Sequence, residues 1–367
     1  MSINQSKKQN HTFFMKLALM QAKQNLGNTN INPSVGCVVT KNNYLLNSSC
    51  TSINGRPHAE SKALSFNKKK YTNSYMYVTM EPCSHYGKTP PCVKLIIKKG
   101  VKKVFFSIKD PDVRSFNKST KIFKKNKVKV NNGILSKEIS NFYRSYIKSK
   151  KKNLPFVTCK VAVSKDFYMI NKKLKFITNN YSRGRVHLMR SENDCIITSA
   201  TTVINDNPQL TCRINGLQNR SPARIILDRN LKVPLSSRIM NIKKKPKTII
   251  FFNKNNINKI RLLKKRGIKL YRISLNEDGY LDLKKVLQQA NSLNYSRIFL
   301  ECGSKLSINF IKSKLVDDLK IFISDKLIAS NGSGNIKNKL IPFLKGKKRN
   351  YKCVNLFGEK LLSYKMK

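Results

Sequence analysis

The stretch E-P-C-S-H-Y-G-K-T-P-P-C at residues 81–92, read together with P-H-A-E at 57–60, decides how this 367-residue chain is understood. His58 opens an expected helix. Cys83 and Cys92 follow an expected strand and turn, and Pro91 suits the first turn of a helix from Cys92. A helix N-terminus favours negative charge, so a thiol placed there ionises readily and binds metal as a thiolate. One imidazole and two thiolates suit Zn²⁺ and leave its fourth position to a water that the metal acidifies. Glu60, two residues past His58, is placed as a general base on that water, returning the proton to a leaving amine. The alternative from these residues alone is a structural zinc site completed by His85 or Cys50.

Outward from this stretch, residues 13–147 alternate between helical and strand-like patterns. An amphipathic helix precedes the apolar run Val35–Thr40, and a helix begins near His58. The alternating Tyr75–Met80 follows, then a helix from Cys92 and the strand-like Val101–Ile108. That order implies an α/β layer with a largely buried sheet. The basic segment K-S-K-K-K-N-L-P at 148–155 reads as a linker. Beyond it, strand-like runs at Phe156–Val163, Cys195–Thr198, Ala223–Leu227, Thr248–Phe252, Lys269–Ile273, Arg297–Glu301 and Leu319–Ile323 predict a second α/β domain over 156–367.

H-A-E followed by P-C and a second P-C is the arrangement of zinc nucleobase deaminases, which usually place two residues between the cysteines. Here there are eight. With N-P-S-V-G-C-V-V at 32–39, P-H-A-E-S-K-A-L at 57–64 and V-K-K-V-F-F-S-I-K-D-P-D at 101–112, the chain resembles the bifunctional riboflavin-biosynthesis deaminase–reductase family over nearly its whole length. The resemblance implies a cytidine-deaminase-like α/β/α domain at 1–147 followed by a dihydrofolate-reductase-like α/β domain. It implies Zn²⁺ and NADPH as cofactors and small phosphorylated pyrimidines as substrates. The first domain would deaminate 2,5-diamino-6-ribosylamino-4(3H)-pyrimidinone 5′-phosphate, and the second would reduce the ribosyl group to ribityl. Family roles then fall on matching residues: His58, Cys83 and Cys92 on zinc, Glu60 on catalysis, Asn32 and Lys88 on the first substrate. His85 would orient or gate. The family often carries a histidine where Cys50-Thr51 stands here.

In the second domain no G-x-G-x-x-G follows a strand, so a Rossmann cofactor site is not indicated. The resemblance assigns Arg190, Leu210, Arg213 and Glu301 to the substrate and Ala162, Phe176, Thr202, Asp206 and Gly303 to NADPH. Arg190 and Arg213 suit a phosphate, because the guanidinium forks onto its oxygens. Other positions depart from the family pattern. Phe167 replaces a glycine, Phe176 a tryptophan and Leu174 a serine. This drift at 164–177 leaves a decayed, structural second domain as an alternative.

The formal net charge of +56 invites a third reading, a zinc protein acting on nucleic acid. The 58 lysines outnumber 16 arginines and are spread along the chain, as coding bias toward AT-rich codons would produce. A nucleic-acid partner is therefore not expected. Nor is a membrane, because no run of 18 apolar residues exists. Nine cysteines without an export signal point to reduced thiols and the cytoplasm, and a homo-oligomer is expected.

Overall fold

The apolar run near Val35 becomes strand β1 (Gly36–Lys41), which follows helix α1 (Ile3–Gln24) and turns back into β2 (Tyr44–Cys50). Next come α2 (Ala59–Ser65), β3 (Tyr75–Met80), α3 (Cys92–Lys98), β4 (Lys103–Ile108), α4 (Lys118–Lys125) and β5 (Lys129–Asn132). Helices α5 (Ser136–Phe142) and α6 (Arg144–Lys152) complete the first of two units, Met1–Asn153; the second is Leu154–Lys367. The computed structural model describes residues 3–65, 71–173, 176–241, 246–347, 349–350 and 354–367, and the side chains of 3–9 and 349–350 are not part of that description.

The first sheet runs β2-β1-β3-β4-β5, with β1 antiparallel to both neighbours and β3, β4 and β5 parallel. Strands β3 and β4 are buried from their second residue onward, as a sheet covered by helices requires. Their core includes Met15, Ala18, Val38, Val78, Ile96 and Phe106. A Cβ at Gly36 would lie 1.8 Å from the Ala18 carbonyl oxygen and 2.7 Å from the Ala22 nitrogen, both backbone atoms of α1. Glycine therefore sets how closely α1 seats on β1. Gly36→Ala is expected to cost about 1–3 kcal/mol through overpacking, seen as earlier melting of the first unit by circular dichroism. An unchanged melt would mean that the helix is not seated there.

Acidic residues number only 18 in the chain, and several of them act as nodes. Glu81 accepts from the backbone N–H groups of Asp110, Asn117 and Ser119 and, at 2.6 Å, from the Ser119 hydroxyl. Asp112 pairs with Arg114 at 2.7 Å and with Lys150 at 3.0 Å. The Arg114 hydrogen bond holds its carboxyl well below the usual carboxylate range. Tyr146 donates to Asp110 at 3.2 Å. These partners explain a difference from the sequence reading. The segment expected as a linker at 148–155 is helical through Lys152, and the chain divides after Asn153, which caps α6 at φ 51°.

The second unit contains β6 (Phe156–Val163), β7 (Ile170–Asn171), α7 (Asn180–Ser191), β8 (Cys195–Ser199), α8 (Ala200–Asp206), β9 (Ala223–Leu227) and β10 (Thr248–Phe252). It continues through α9 (Ile257–Lys265), β11 (Lys269–Arg272), α10 (Leu283–Ser292), β12 (Arg297–Glu301), α11 (Ser304–Lys312) and β13 (Asp318–Ile323). It ends with β14 (Gly332–Ser333), α12 (Lys337–Leu340), β15 (Arg349–Asn350) and β16 (Lys360–Lys365). Nine strands form one sheet in the order β11-β10-β9-β8-β12-β6-β13-β16-β15. Pairing is parallel from β11 to β13 and antiparallel at β16 and β15. Alternate residues feed two cores, Val157, Cys159 and Val161 into one and Ile196, Ile226 and Ile250 into the other. The seven strands read from the sequence are the parallel set.

Two candidate active sites

In the first unit, Ala59 begins α2 immediately after His58, and Cys92 begins α3 immediately after Pro91. The metal-binding atoms of His58, Cys83 and Cys92 all lie within 4.8 Å of one another. His58 Nδ1 is 3.6 Å from Cys83 Sγ and 3.4 Å from Cys92 Sγ. Zinc–ligand bond lengths at a tetrahedral angle place N and S about 3.5 Å apart, so the donor set fits that ion without rearrangement. Among the protein groups alone, the Cys92 hydrogen bond pulls the Cys83 thiol down to about 4. Cys92 moves the other way, pushed up by that same contact and by burial. Glu60, only 3% exposed, sits beside them on α2, and burial lifts its carboxyl to about 7 against the opposing charge of His58.

Around this cluster the structure separates bracing groups from available ones. Asn32 donates from Nδ2 to the Gly55 carbonyl at 2.9 Å, bracing the turn that leads into His58. Gly55 itself has φ +86° and lies against Asn32 and the Thr29 carbonyl, a conformation that suits glycine. His85 meets the Ser115 hydroxyl at 3.0 Å. Lys88 is exposed on the 84–90 loop. Thr51, where the family's histidine would stand, is 1% exposed and accepts from Val35 N at 2.9 Å, so it faces the core. Cys50 bonds Asn25 and Gln24, away from the metal-binding atoms, and is not a fourth ligand.

The second site is a cleft of about 1850 Å³. It opens where β6, β8 and β12 end, as ligand crevices do in parallel sheets. Arg190, Leu210, Arg213 and Glu301 line it, and so do Ala162, Phe176, Thr202, Asp206 and Gly303. The structure thus gathers all nine expected residues into one cavity. Leu174 lies outside the described residues.

Arg190 differs from the sequence expectation of a phosphate fork. It is 8% exposed, and its guanidinium binds both Glu301 oxygens at 3.0 and 2.7 Å and the Thr211 carbonyl at 2.9 Å. Glu301 is largely buried as well, and Arg190 holds its carboxyl down at about 2 against the cost of burial. Arg213 is exposed. Ser199 caps α8, its hydroxyl accepting from the Thr202 N–H at 3.1 Å. Gly303 precedes α11 with φ −69°, and a Cβ there meets only Thr202 Oγ1, at 4.0 Å. No neighbour in the protein demands a glycine at that point, and the space belongs to the cleft. A cofactor pyrophosphate could approach the backbone N–H groups there, so the residues fit NADPH.

Two residues of the cleft escaped the sequence reading. Lys160 on β6 pairs in register with Glu301 on β12 and lines the cavity, and burial lowers the pKa of its ammonium. A lysine within K-V-A-V was the available signal, hidden by the abundance of lysine. His187, one turn before Arg190 on α7, lines the cleft too. In the drifted loop, Phe167 has a left-handed φ of 68°, the region that favours the glycine expected there; Leu210 has φ 52°. Asp166 secures the loop by accepting from Ile328 N and Ala329 N, and the Phe167 carbonyl accepts from Ile336 N at 3.1 Å.

Residues 8–108 match the cytidine and deoxycytidylate deaminase zinc-binding region, and residues 155–348 match the RibD C-terminal domain. The riboflavin biosynthesis protein RibD of Aquifex aeolicus is 32% identical over 317 residues, covering 86% of this chain and 87% of the relative. The solved structure of Acinetobacter baumannii RibD superposes with a TM-score of 0.86 at 26% identity, covering 98% of this chain and 99% of that one. A Thermotoga maritima protein described as a diaminohydroxyphosphoribosylaminopyrimidine deaminase/5-amino-6-(5-phosphoribosylamino)uracil reductase gives 0.84 at 27% identity, covering 98% and 99%. The chain belongs to the RibD family of riboflavin biosynthesis proteins, in which a zinc-dependent deaminase is joined to an NADPH-dependent reductase.

Proposed function

We propose that this chain carries out both reactions named for the Thermotoga relative, deamination of the diaminopyrimidine phosphate and then reduction of the resulting uracil. The order follows from the names, since the compound to be reduced already carries the deaminated base. His58, Cys83 and Cys92 would hold zinc, which acidifies a water in its open position. Glu60 would accept a proton from water and deliver it to the amino nitrogen, which leaves as ammonia as the water oxygen takes its place on the carbon. Asn32 braces the turn that leads into His58, and the exposed Lys88 would be available for a phosphate.

In the second cleft, Gly303 and Thr202 would hold NADPH, which would supply a hydride. Reduction at the ribosyl carbon that bears the nitrogen would open the ring, and the ring oxygen so released would take up a proton. Lys160, in register beside Glu301, is the group placed to give that proton. Glu301, held ionised by Arg190, orients the ribosyl hydroxyls. The observation that carries an active second domain is the convergence of all nine expected residues on one cleft, with the Arg190–Glu301 pair intact. The eight described cysteines are all thiols, and no described helix is long and apolar enough to cross a membrane; we place the enzyme in the reducing cytoplasm on the first of these facts.

The test supplies 5-amino-6-(5-phosphoribosylamino)uracil directly to zinc-loaded protein and follows NADPH absorbance. Steady oxidation is expected, and a flat trace would favour the decayed-domain alternative. Gly303→Val adds a control with its own expected result. A Cβ at this position meets only Thr202 Oγ1, at 4.0 Å, and the added bulk takes up space in the cleft, so the KM for NADPH is expected to rise roughly tenfold or more. Ammonia release from the first substrate should be unaffected. Normal NADPH use by that variant would remove Gly303 from the cofactor path.

A further inference from the structure

The loop between α8 and β9 forms one wall of the second cleft, with Asn207, Gln209, Leu210 and Arg213 along it. It has no regular structure from Asn207 to Arg213, yet every second residue is tied down. Asn207 Oδ1 accepts from Arg238 N at 2.8 Å, the Gln209 carbonyl from Arg224 Nη1 at 3.0 Å and the Thr211 carbonyl from Arg190 Nη1 at 2.9 Å. Arg213 N lies 3.2 Å from His187 Nδ1. Leu210 stands between the two carbonyls that guanidinium groups hold, and there the backbone takes its left-handed φ of 52°. A leucine adopts that region only where its surroundings impose it. Arg190 has Glu301 to balance its charge, but Arg224 has no such partner. It is 3% exposed on β9, on the apolar face that also carries Ile226, and burial alone draws its pKa down to about 10. Its Nη2 donates to the Pro246 carbonyl at 2.8 Å and to Thr248 Oγ1 at 2.6 Å, and the Thr248 hydroxyl donates onward to the Ile239 carbonyl at 2.9 Å. A cation buried without a counter-charge is costly, and an aliphatic side chain at this position would avoid that cost. What the guanidinium gives in return is a span: the base of β10 on one side, the cleft wall on the other.

We propose that Arg224 is a positioning residue of the reductase cleft: with Arg190 it clamps the carbonyls on either side of Leu210 and so sets the wall that meets the substrate. The proposal rests on reading the cleft as the reductase site. Arg224 lies behind that wall, not in the cavity, and acts through Gln209. Its base is fixed by register, because Arg224 pairs with Thr248 across the parallel strands β9 and β10. A single donor could hold the loop or the sheet but could not brace one against the other. The planar fork does both, with Nη1 on the loop and Nη2 on the start of β10. The left-handed turn at Leu210 is thereby formed before substrate arrives, which removes an ordering cost from binding. Without the clamp Leu210 relaxes, and substrate has to rebuild the turn out of its own binding energy.

The test measures the affinity of the zinc-loaded full-length protein for 5-amino-6-(5-phosphoribosylamino)uracil by calorimetry, beside the KM and kcat of NADPH oxidation. Arg224→Lys keeps the charge but cannot brace both sides. With the wall correctly placed in about a tenth of the molecules, the Kd and KM for the uracil substrate rise about tenfold. The kcat at saturating substrate, the KM for NADPH and ammonia release by the first unit should hold, because bound substrate restores the wall. Thr248→Val removes one anchor and leaves the Gln209 bond, so it is expected to raise the same two constants by a smaller factor. It carries the test alone if circular dichroism shows Arg224→Lys unfolded. Wild-type affinity for the uracil substrate in the folded variant overturns the proposal. So does an equal rise in the KM for NADPH, which would mark a general loosening of the unit. If NADPH is not oxidised while the variant still binds the uracil substrate more weakly than the wild type, the clamp stands and only the reductase reading falls. If oxidation is normal and the affinities are equal, the clamp alone is wrong. A wild type that binds no uracil substrate sinks both.

Discussion

Glu60→Gln is expected to slow ammonia release by about 10²–10⁴, the usual contribution of a positioned general acid–base group. Zinc content and NADPH oxidation on the uracil substrate should both stay at wild-type levels. Glutamine has nearly the same shape, so the buried position on α2 remains filled and the three metal-binding residues keep their places. What disappears is a group that can accept a proton from water and surrender it to nitrogen. Glu60 is 3% exposed, and the sole other carboxylate in the motif, Glu81, is committed to four donors around Ser119. No neighbouring acid can take over. Metal analysis beside an ammonia assay separates the outcomes: lost zinc would make Glu60 a structural support of the site, and full activity with full zinc would refute its role.

Arg190→Met should be the more damaging change to the second unit. It removes the guanidinium that hydrogen-bonds both Glu301 oxygens and leaves only the weaker influence of Lys160 and His187, at a cost of about 3–5 kcal/mol, and NADPH oxidation is expected to stop. The pH dependence gives the sign. Folded Glu301 titrates near 2, below its ordinary 4.5, so the stabilisation it draws from Arg190 is complete above about 4.5 and disappears as pH falls toward 2. The stability gap between wild type and Arg190→Met should therefore be widest at neutral pH and close on acidification. The chain has no tryptophan, so far-UV circular dichroism in urea is the practical readout. Ammonia release by the first unit serves as the internal control. Parallel stability curves across the whole range would show that the pair contributes little.

The first site was almost fully legible because its residues are close in sequence and chemically distinctive. His58, Glu60, Cys83 and Cys92 span 35 positions, and imidazole, carboxylate and thiol are rare types in this composition. The second site draws on residues from Lys160 to Gly303, and its parts are common ones. There the family resemblance named nine lining residues that spacing could not have joined. It missed Lys160, whose type is too abundant to attract notice, and His187, which only tertiary packing brings to the cleft. The role expected for Arg190 changed because a guanidinium's partners are decided by tertiary packing, and Glu301 reached it first. The seven parallel strands were visible as apolar runs, whereas β2 and β16 are half-exposed and carry weaker patterns. The end of the first unit was misread for a related reason: a lysine-rich segment looks like a linker until Asp110 and Asp112 are seen beside it.

Those acids have one further consequence. Glu81, Asp112, Asp166, Glu301 and Glu359 each hold two or more groups, and Glu359 alone takes Asn179 N and the Ser182 hydroxyl at the start of α7. Mutational tolerance in this protein should therefore be inverted with respect to charge. The cationic surface is free to drift with codon bias, while the small anionic minority is frozen in place, so acids lost to random mutation would be purged far faster than bases.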